Sequence, residues 1–182
     1  FSKYSDSKNL KRLTGIFHNL PNNLGKNVKY SELDRDLKST EVRNILDLFL
    51  KAKIIIQCLH TDFSEVPIRS SVNQQLYKLF FIDVGLMKYL HGIEWPSLNI
   101  NSEQLLITKG IIAEQFVAQH LAYIKEGMET PELFYWFRDK TNSKAEVDFV
   151  TECNGNIYPI EVKAGANGKL KSINIFLAEK KL

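Results

Sequence analysis

A mixed α+β fold is predicted by three observations: helical apolar spacing through residues 1–51, two short strand-like runs before residue 90 with three more after residue 130, and a long helical stretch between them. The chain has 182 residues, enough for one medium domain or two small ones. Its 44% hydrophobic and 25% charged content excludes a disordered or fibrous chain. No apolar run approaches membrane-spanning length and no signal pattern opens the sequence, so a cytoplasmic protein without membrane association is expected. Because the chain starts at Phe1 without a methionine, it is expected to be a piece of a longer protein.

The first element rests on Leu10, Leu13, Phe17 and Leu20, which recur at helical spacing until Pro21-Asn22-Asn23 stops them. Ser31 is expected to cap a short helix over residues 32–37, with Asp34 completing a capping box. Thr40 is then the expected cap of a helix over residues 41–51, whose stripe is Val42, Ile45, Leu46, Phe49 and Leu50. Strand-like runs at residues 54–59 and 77–82 flank a polar stretch, residues 61–75, that reads as a loop or wing. Helix, helix, turn, helix and hairpin is the order of a winged helix-turn-helix. Its recognition helix would expose Thr40, Glu41, Arg43, Asn44 and Asp47, with Lys38 at the lip.

Charge distribution points the same way. Residues 1–60 hold eleven Lys/Arg against six Asp/Glu, a net of +5, and the remainder thirteen against fifteen, a net of −2, so the positive charge of the chain sits in the first third. A positive first third suits nucleic acid, and Lys38, Thr40, Arg43 and Asn44 are the candidate DNA-contacting residues. The acids Glu41 and Asp47 on the same face oppose DNA binding, and winged helices also serve as protein-docking modules, so both uses stay open.

Residues 78–86 run from a strand into a Gly-punctuated turn and a short helical piece that ends near Leu90. Residues 91–102, irregular and holding Gly92 and Pro96, form the expected boundary between a first domain (1–90) and a second (91–182). A helix over residues 103–126 follows, with Ile107, Ile111, Val117, Leu121 and Ile124 as its apolar positions. Glu114 lies in line with Val117 and Leu121, on or beside the buried stripe, where a carboxylate wants a partner. Gly110, one turn earlier, permits close backbone approach. Residues 133–137, Leu-Phe-Tyr-Trp-Phe, form an aromatic strand that turns at residues 139–143. A loop at residues 164–168 leads to a last helix over residues 170–182, which carries Ile173, Phe176 and Leu177 inward.

The chemistry concentrates in residues 146–163, two apolar runs around Asn154-Gly155-Asn156, the local signature of a β-hairpin. Strand alternation puts Glu146, Asp148 and Val150 on one face, with Val147 and Phe149 opposite. Across the turn Glu161 and Lys163 share a face, while Tyr158, Ile160 and Val162 share the other. In the right register Asp148, Glu161 and Lys163 converge. Two adjacent carboxylates repel and need a cation, either the lysine or a hard divalent metal such as Mg²⁺. With a metal, such a set could hydrolyse a phosphodiester; without one it is a solvated strand face with an ordinary salt bridge. Cys58 and Cys153 lack CxxC spacing and the four histidines are scattered, which argues against structural zinc and for a reducing compartment.

Asp148, then Glu161-x-Lys163 a strand later, with Glu114 on a preceding helix, resembles the core of the PD-(D/E)XK nuclease superfamily. More closely, nearly the full length resembles the uncharacterised C-terminal region that follows the AAA-type ATPase domain in many bacterial and archaeal proteins. The stretches that carry this resemblance are residues 78–86, 110–117, 135–140, 146–150 and 159–165. It implies a winged helix followed by a restriction-endonuclease-like mixed sheet that is flanked by helices and lacks its last strand. It further implies Asp148 and Glu161 as ligands of Mg²⁺ or Mn²⁺, Lys163 as the residue that orients the attacking water, and Glu114 as an accessory carboxylate. Val147 stands where the superfamily has proline. No GK[S/T] phosphate loop occurs, so ATPase activity is not expected of this chain itself. The expected partners are DNA and an ATPase domain in the same full-length chain, with homo-oligomers left open. Two functions follow from different classes: a metal-dependent DNA nuclease, or a non-catalytic DNA-binding or docking module whose acids have become a salt-bridge network.

Overall fold

The computed structural model describes residues 7–63, 66–92, 103–124, 131–140, 143–164 and 170–181. It is a mixed α+β fold in which helices flank a five-stranded sheet that is not closed into a barrel. Three helices lead: α1 (Ser7–Asn19), α2 (Tyr30–Leu33) and α3 (Ser39–Lys51). Strands β1 (Ile55–Thr61) and β2 (Val72–Phe81) follow, then α4 (Val84–Leu90) and α5 (Glu103–Ile124). Strands β3 (Leu133–Lys140), β4 (Ser143–Cys153) and β5 (Asn156–Ile160) precede α6 (Lys171–Lys180).

The strand order is β2-β1-β3-β4-β5. All neighbours are antiparallel except β1 and β3, which run parallel over Cys58–His60 and Leu133–Tyr135. Strands from both sides of the expected boundary thus share one hydrogen-bonded ladder. Three apolar clusters surround it. On β1 and β2, Ile55, Leu79 and Phe81 pack under Val42, Ile45, Leu46 and Phe49 of α3 and Ile16 and Leu20 of the first helical segment. From the opposite face Ile56, Cys58 and Phe80 meet Ala118 and Ala122 of α5, joined by Leu133, Tyr135 and Phe149. Phe176 of α6 covers Phe134, Trp136, Ala145, Val147 and Val150.

Several boundaries differ from expectation for local reasons. Helix α2 ends at Leu33, because the Asp34 carboxylate turns to accept the Asp36 and Leu37 amides at 2.8 and 3.1 Å and so competes with helix continuation. The cap of α3 is Lys38, not Thr40, and Glu41 reaches back to the Lys38 amide. Strand β2 begins at Val72, inside the stretch read as a loop, and bulges at Gln74–Leu76 before pairing again. In α6 it is Ile175, with Phe176 and Leu177, that packs on the sheet; Ile173 is not in that cluster. The boundary region at residues 93–102, the side chain of Ile107, residue 126 and most of the loop at residues 164–168 lie outside the described residues.

Candidate functional site

Hairpin β4–β5 forms as its turn residues dictate: Asn154 and Gly155 both take positive φ (52° and 74°), the conformation that a two-residue Asn-Gly connection favours. Side-chain alternation does not run through β4. Phe134 pairs with Val150 and Trp136 with Val147, so β4 holds one extra residue across that step. This bulge sends Val150 to the α6 side with Val147, while Phe149 joins the α5 side. Strand β5 stops at Ile160 because the Asp148 carboxylate, not a ladder carbonyl, accepts the Val162 amide at 2.7 Å. Glu161 and Lys163 therefore lie just past the strand, where their side chains pair with each other.

The centre of the acidic cluster is a residue that the sequence reading left unassigned. Lys78, on β2, has a side chain only 2% exposed, and its ammonium pairs with Glu146 of β4 and, at 3.4 Å, with Glu114 of α5. It also stands 5.0 Å above the Tyr135 ring. The Tyr135 hydroxyl donates to the Asn27 side chain, and Asn27 forms an isolated β-bridge with Lys78. Gly25 lies against the Glu114 carboxylate with φ +67°, and a Cβ there would stand 2.7 Å from a carboxylate oxygen. Glycine takes this φ without strain and leaves the carboxylate its place.

Charge balance explains the protonation pattern. Four carboxylates (Glu114, Glu146, Asp148 and Glu161) share two ammonium groups, Lys78 and Lys163. Burial raises the Glu114 carboxyl to about 7, with Asp148 adding to the rise against the pull of Lys78. Burial also raises Asp148, which its bond from the Val162 amide opposes and the charge of Glu161 reinforces. For Lys78 burial works against the charge, yet Glu114 and Glu146 outweigh it and hold the ammonium above its usual range. Lys163 is raised by its bond to Glu161. Lys78 sits closer to Glu146 than to Glu114, so Glu114 receives the weaker pull of the ammonium and its burial is the less fully offset.

Helix α3 presents the second candidate surface. Lys38, Thr40, Arg43, Asn44 and Asp47 are exposed, as expected. Glu41 is not free on that face: it pairs with Arg12 of α1 at 2.6 Å and caps its own helix. Beside α3 two grooves meet at Leu50, Gln57 and Leu59. One, about 740 Å³, is lined by Tyr30, Arg43, Asp47, Gln74, Gln75 and Tyr77. The other, about 680 Å³, is lined by Ile55, Ile56, Ile82 and Pro131 among others.

A family model described as Domain of unknown function (DUF8612) matches residues 1–97. The chain belongs to that family. A second model, Domain of unknown function (DUF4143), matches residues 109–182. Neither a curated protein nor a solved structure matches this chain. The DUF8612 segment supplies Gly25, Asn27 and Lys78 to the ionic cluster, and Glu114, Tyr135, Glu146, Asp148, Glu161 and Lys163 come from the segment matched by DUF4143.

The expected Mg²⁺ or Mn²⁺ does not fit this arrangement. Among the described residues no group of three or more His, Cys, Asp or Glu side chains could hold a metal ion. Each carboxylate has one oxygen committed elsewhere: Asp148 to the Val162 amide, Glu161 to Lys163, Glu114 and Glu146 to Lys78. The second Glu161 oxygen is buried without a hydrogen-bond partner. A protein ammonium supplies the cation that the acids require. Lys78 was missed because one lysine on a strand ordinarily reads as a solvated position; the available signal was its place within the apolar run Leu76–Ile82. Among the described residues no helix is long and apolar enough to cross a membrane.

Proposed function

We propose that this chain is a non-catalytic DNA-binding module: a winged helix-turn-helix joined to a nuclease-like layer whose acid cluster serves as an internal ionic network. The observation that carries this reading is the buried Lys78 ammonium between Glu114 and Glu146. In a hydrolytic site these carboxylates would face substrate, whereas here they join β2, α5 and β4. Order of elements supports the winged helix: α1, α2 and α3 precede the antiparallel pair β1–β2, with the bulge Gln74–Leu76 in the position of a wing. Helix α3 is the recognition helix, with Lys38 and Arg43 for phosphates and Thr40 and Asn44 for base edges. Because Glu41 turns to Arg12, Asp47 is the acid that remains exposed on this face.

A protein partner is the second reading, favoured by the apolar groove of Leu50, Ile55, Ile56, Leu59 and Ile82 beside α3. The resemblance to C-terminal regions of AAA-type ATPases makes an ATPase domain of the same full-length chain that partner.

Two measurements on one preparation test the proposal. Fluorescence anisotropy with labelled duplex should show binding that falls steeply with salt, and Lys38→Ala with Arg43→Ala should weaken it by roughly tenfold or more. Plasmid incubated with the protein, with and without divalent ions, should stay intact. Cleavage that Lys163→Ala abolishes would overturn the non-catalytic reading, and duplex affinity indifferent to salt and to both substitutions would overturn the DNA reading.

A further inference from the structure

Strand β1 has one side that its neighbours do not fill. In its antiparallel pairing with β2, Ile55 stands opposite Phe81 and Gln57 opposite Leu79. Both backbone groups of Phe81 bond to the Gln115 side chain, and the Leu79 carbonyl accepts the Gly25 amide. Those β2 groups point away from β1, so by ladder alternation the backbone groups of Ile55 and Gln57 point away from β2. On that side β3 pairs with β1 along Cys58–His60, and among the described residues no strand continues beside Ile55–Gln57. The sequence explains the stop. Carried back toward Ile56, the register Cys58↔Leu133 sets Pro131 opposite it. There the Ile55 carbonyl would need an amide hydrogen, which proline lacks.

A groove of about 680 Å³ lies along this open edge. Consecutive residues Ile55, Ile56 and Gln57 line it, whereas a groove over one face of a strand is lined by alternate ones. It therefore runs in the plane of the sheet, in the lane that β3 enters at Leu133. Leu50 and Ile82 give it an apolar wall, and Lys51 and Lys53 stand exposed at its lip. Neither lysine has an ion-pair partner among the described residues. Glu132, the acid on this lining, is engaged by Arg69 at 2.9 Å. The lip is thus positive. Lys53 also takes φ +54° in the turn that closes α3, where the Ile54 amide donates to the Phe49 carbonyl at 2.9 Å. Glycine is the usual residue in such a turn, and a lysine costs stability that glycine would not. What the lysine supplies is a second ammonium beside Lys51.

We propose that this groove takes an extended acidic segment of a partner protein, which adds to β1 as a strand. This rests on the protein-partner reading above and specifies the form that the partner presents. The segment's backbone bonds to Ile55 and Gln57, an apolar side chain lies against Leu50 and Ile82, and an Asp or Glu meets Lys51 and Lys53. Duplex DNA would satisfy the two lysines but not the open backbone groups or the apolar wall. A docked helix would cover the wall and leave those backbone groups unpaired. An extended acidic peptide answers all three.

Phage-displayed random octapeptides, selected on the 182-residue chain, test the proposal. Enriched sequences should combine Asp or Glu with β-branched residues, and the strongest of them, made synthetically, is the probe for each later measurement. Lys51→Glu with Lys53→Glu should weaken that peptide by roughly tenfold or more, with circular dichroism unchanged because both side chains are exposed. With peptide bound, the Ile55 and Gln57 amides should exchange with deuterium roughly tenfold more slowly or better. Lys53→Gly should raise the melting temperature and still weaken the peptide severalfold, opposite changes that a merely structural lysine would not give. No enrichment overturns the inference together with the protein-partner reading. A peptide that binds the double glutamate variant equally, or that leaves both amides exchanging at their free rate, overturns acidic strand addition and leaves a protein partner of another kind.

Discussion

The Lys78 cluster and the outer face of α3 use the same kinds of residue for opposite ends. In the cluster, Lys78, Glu114 and Glu146 come from three elements and satisfy one another, so their charges hold the sheet to α5. On α3, Lys38, Arg43, Asn44 and Asp47 come from one element and its cap and face outward. The difference shows that charge type alone does not mark a functional surface. What matters is whether folding has already supplied the partner. A buried, mutually satisfied set is expensive to disturb and presents little to a ligand, whereas an exposed set costs little to change and keeps its charge for others.

The largest expected effect comes from breaking the cluster at its centre. Lys78→Met keeps the stem but strands Glu114 beneath the sheet, and should lower unfolding free energy by about 3–5 kcal/mol. Adding Glu114→Gln should recover most of that loss, because Glu146 is 39% exposed and can turn to water. Urea unfolding of the single and double variants measures it. A double variant no more stable than Lys78→Met would mean that apolar packing of the lysine stem, not the ion pairs, holds this junction.

Much of the scaffold of both regions was legible beforehand, and the reasons differ. The α3 stripe follows from helical periodicity, and its buried residues Val42, Ile45, Leu46 and Phe49 are those the spacing selects. The hairpin turn follows from Asn154-Gly155, where sterics leave few alternatives. Legibility ends where tertiary pairing decides. The β4 bulge is invisible to strict alternation, so Val150 and Phe149 were each placed on the wrong side. Lys78 could be recognised as the cation only with Glu146, 68 residues away, beside it. A pair of acids looks alike in a list of residues whether a metal or a lysine sits between them; only the fold distinguishes the two.

A smaller effect separates the regions by pH. The Glu114 carboxyl, ordinarily near 4.5, is raised to about 7. The native state therefore holds a proton that the unfolded chain has released between those values, and this contribution to stability is full below about 4.5 and lost as pH rises through about 7. The shift corresponds to at most about 3 kcal/mol, and roughly 2 after allowance for the carboxylate's partial exposure. Unfolding free energy measured from pH 4.5 to 8 should thus fall in the native protein by more than in Glu114→Gln. An equal slope in both would place the titrating group elsewhere.

The smallest effects should arise on α3, and two neighbouring acids sharpen the contrast there. Glu41 is tied to Arg12 and to its helix cap, so Glu41→Gln should cost about 1 kcal/mol of stability and leave duplex affinity nearly unchanged. Asp47 is exposed beside Arg43, so Asp47→Asn should change stability by no more than about 0.5 kcal/mol. If DNA lies along this face, the same change removes a repulsion from the phosphates and should raise duplex affinity severalfold at low salt, a gain that shrinks as salt is added. Anisotropy titrations of both variants at two salt concentrations compare them directly. An affinity gain in Glu41→Gln that equals the gain in Asp47→Asn would show that Glu41 leaves Arg12 in solution, and that the division between committed and available charge does not extend to this helix.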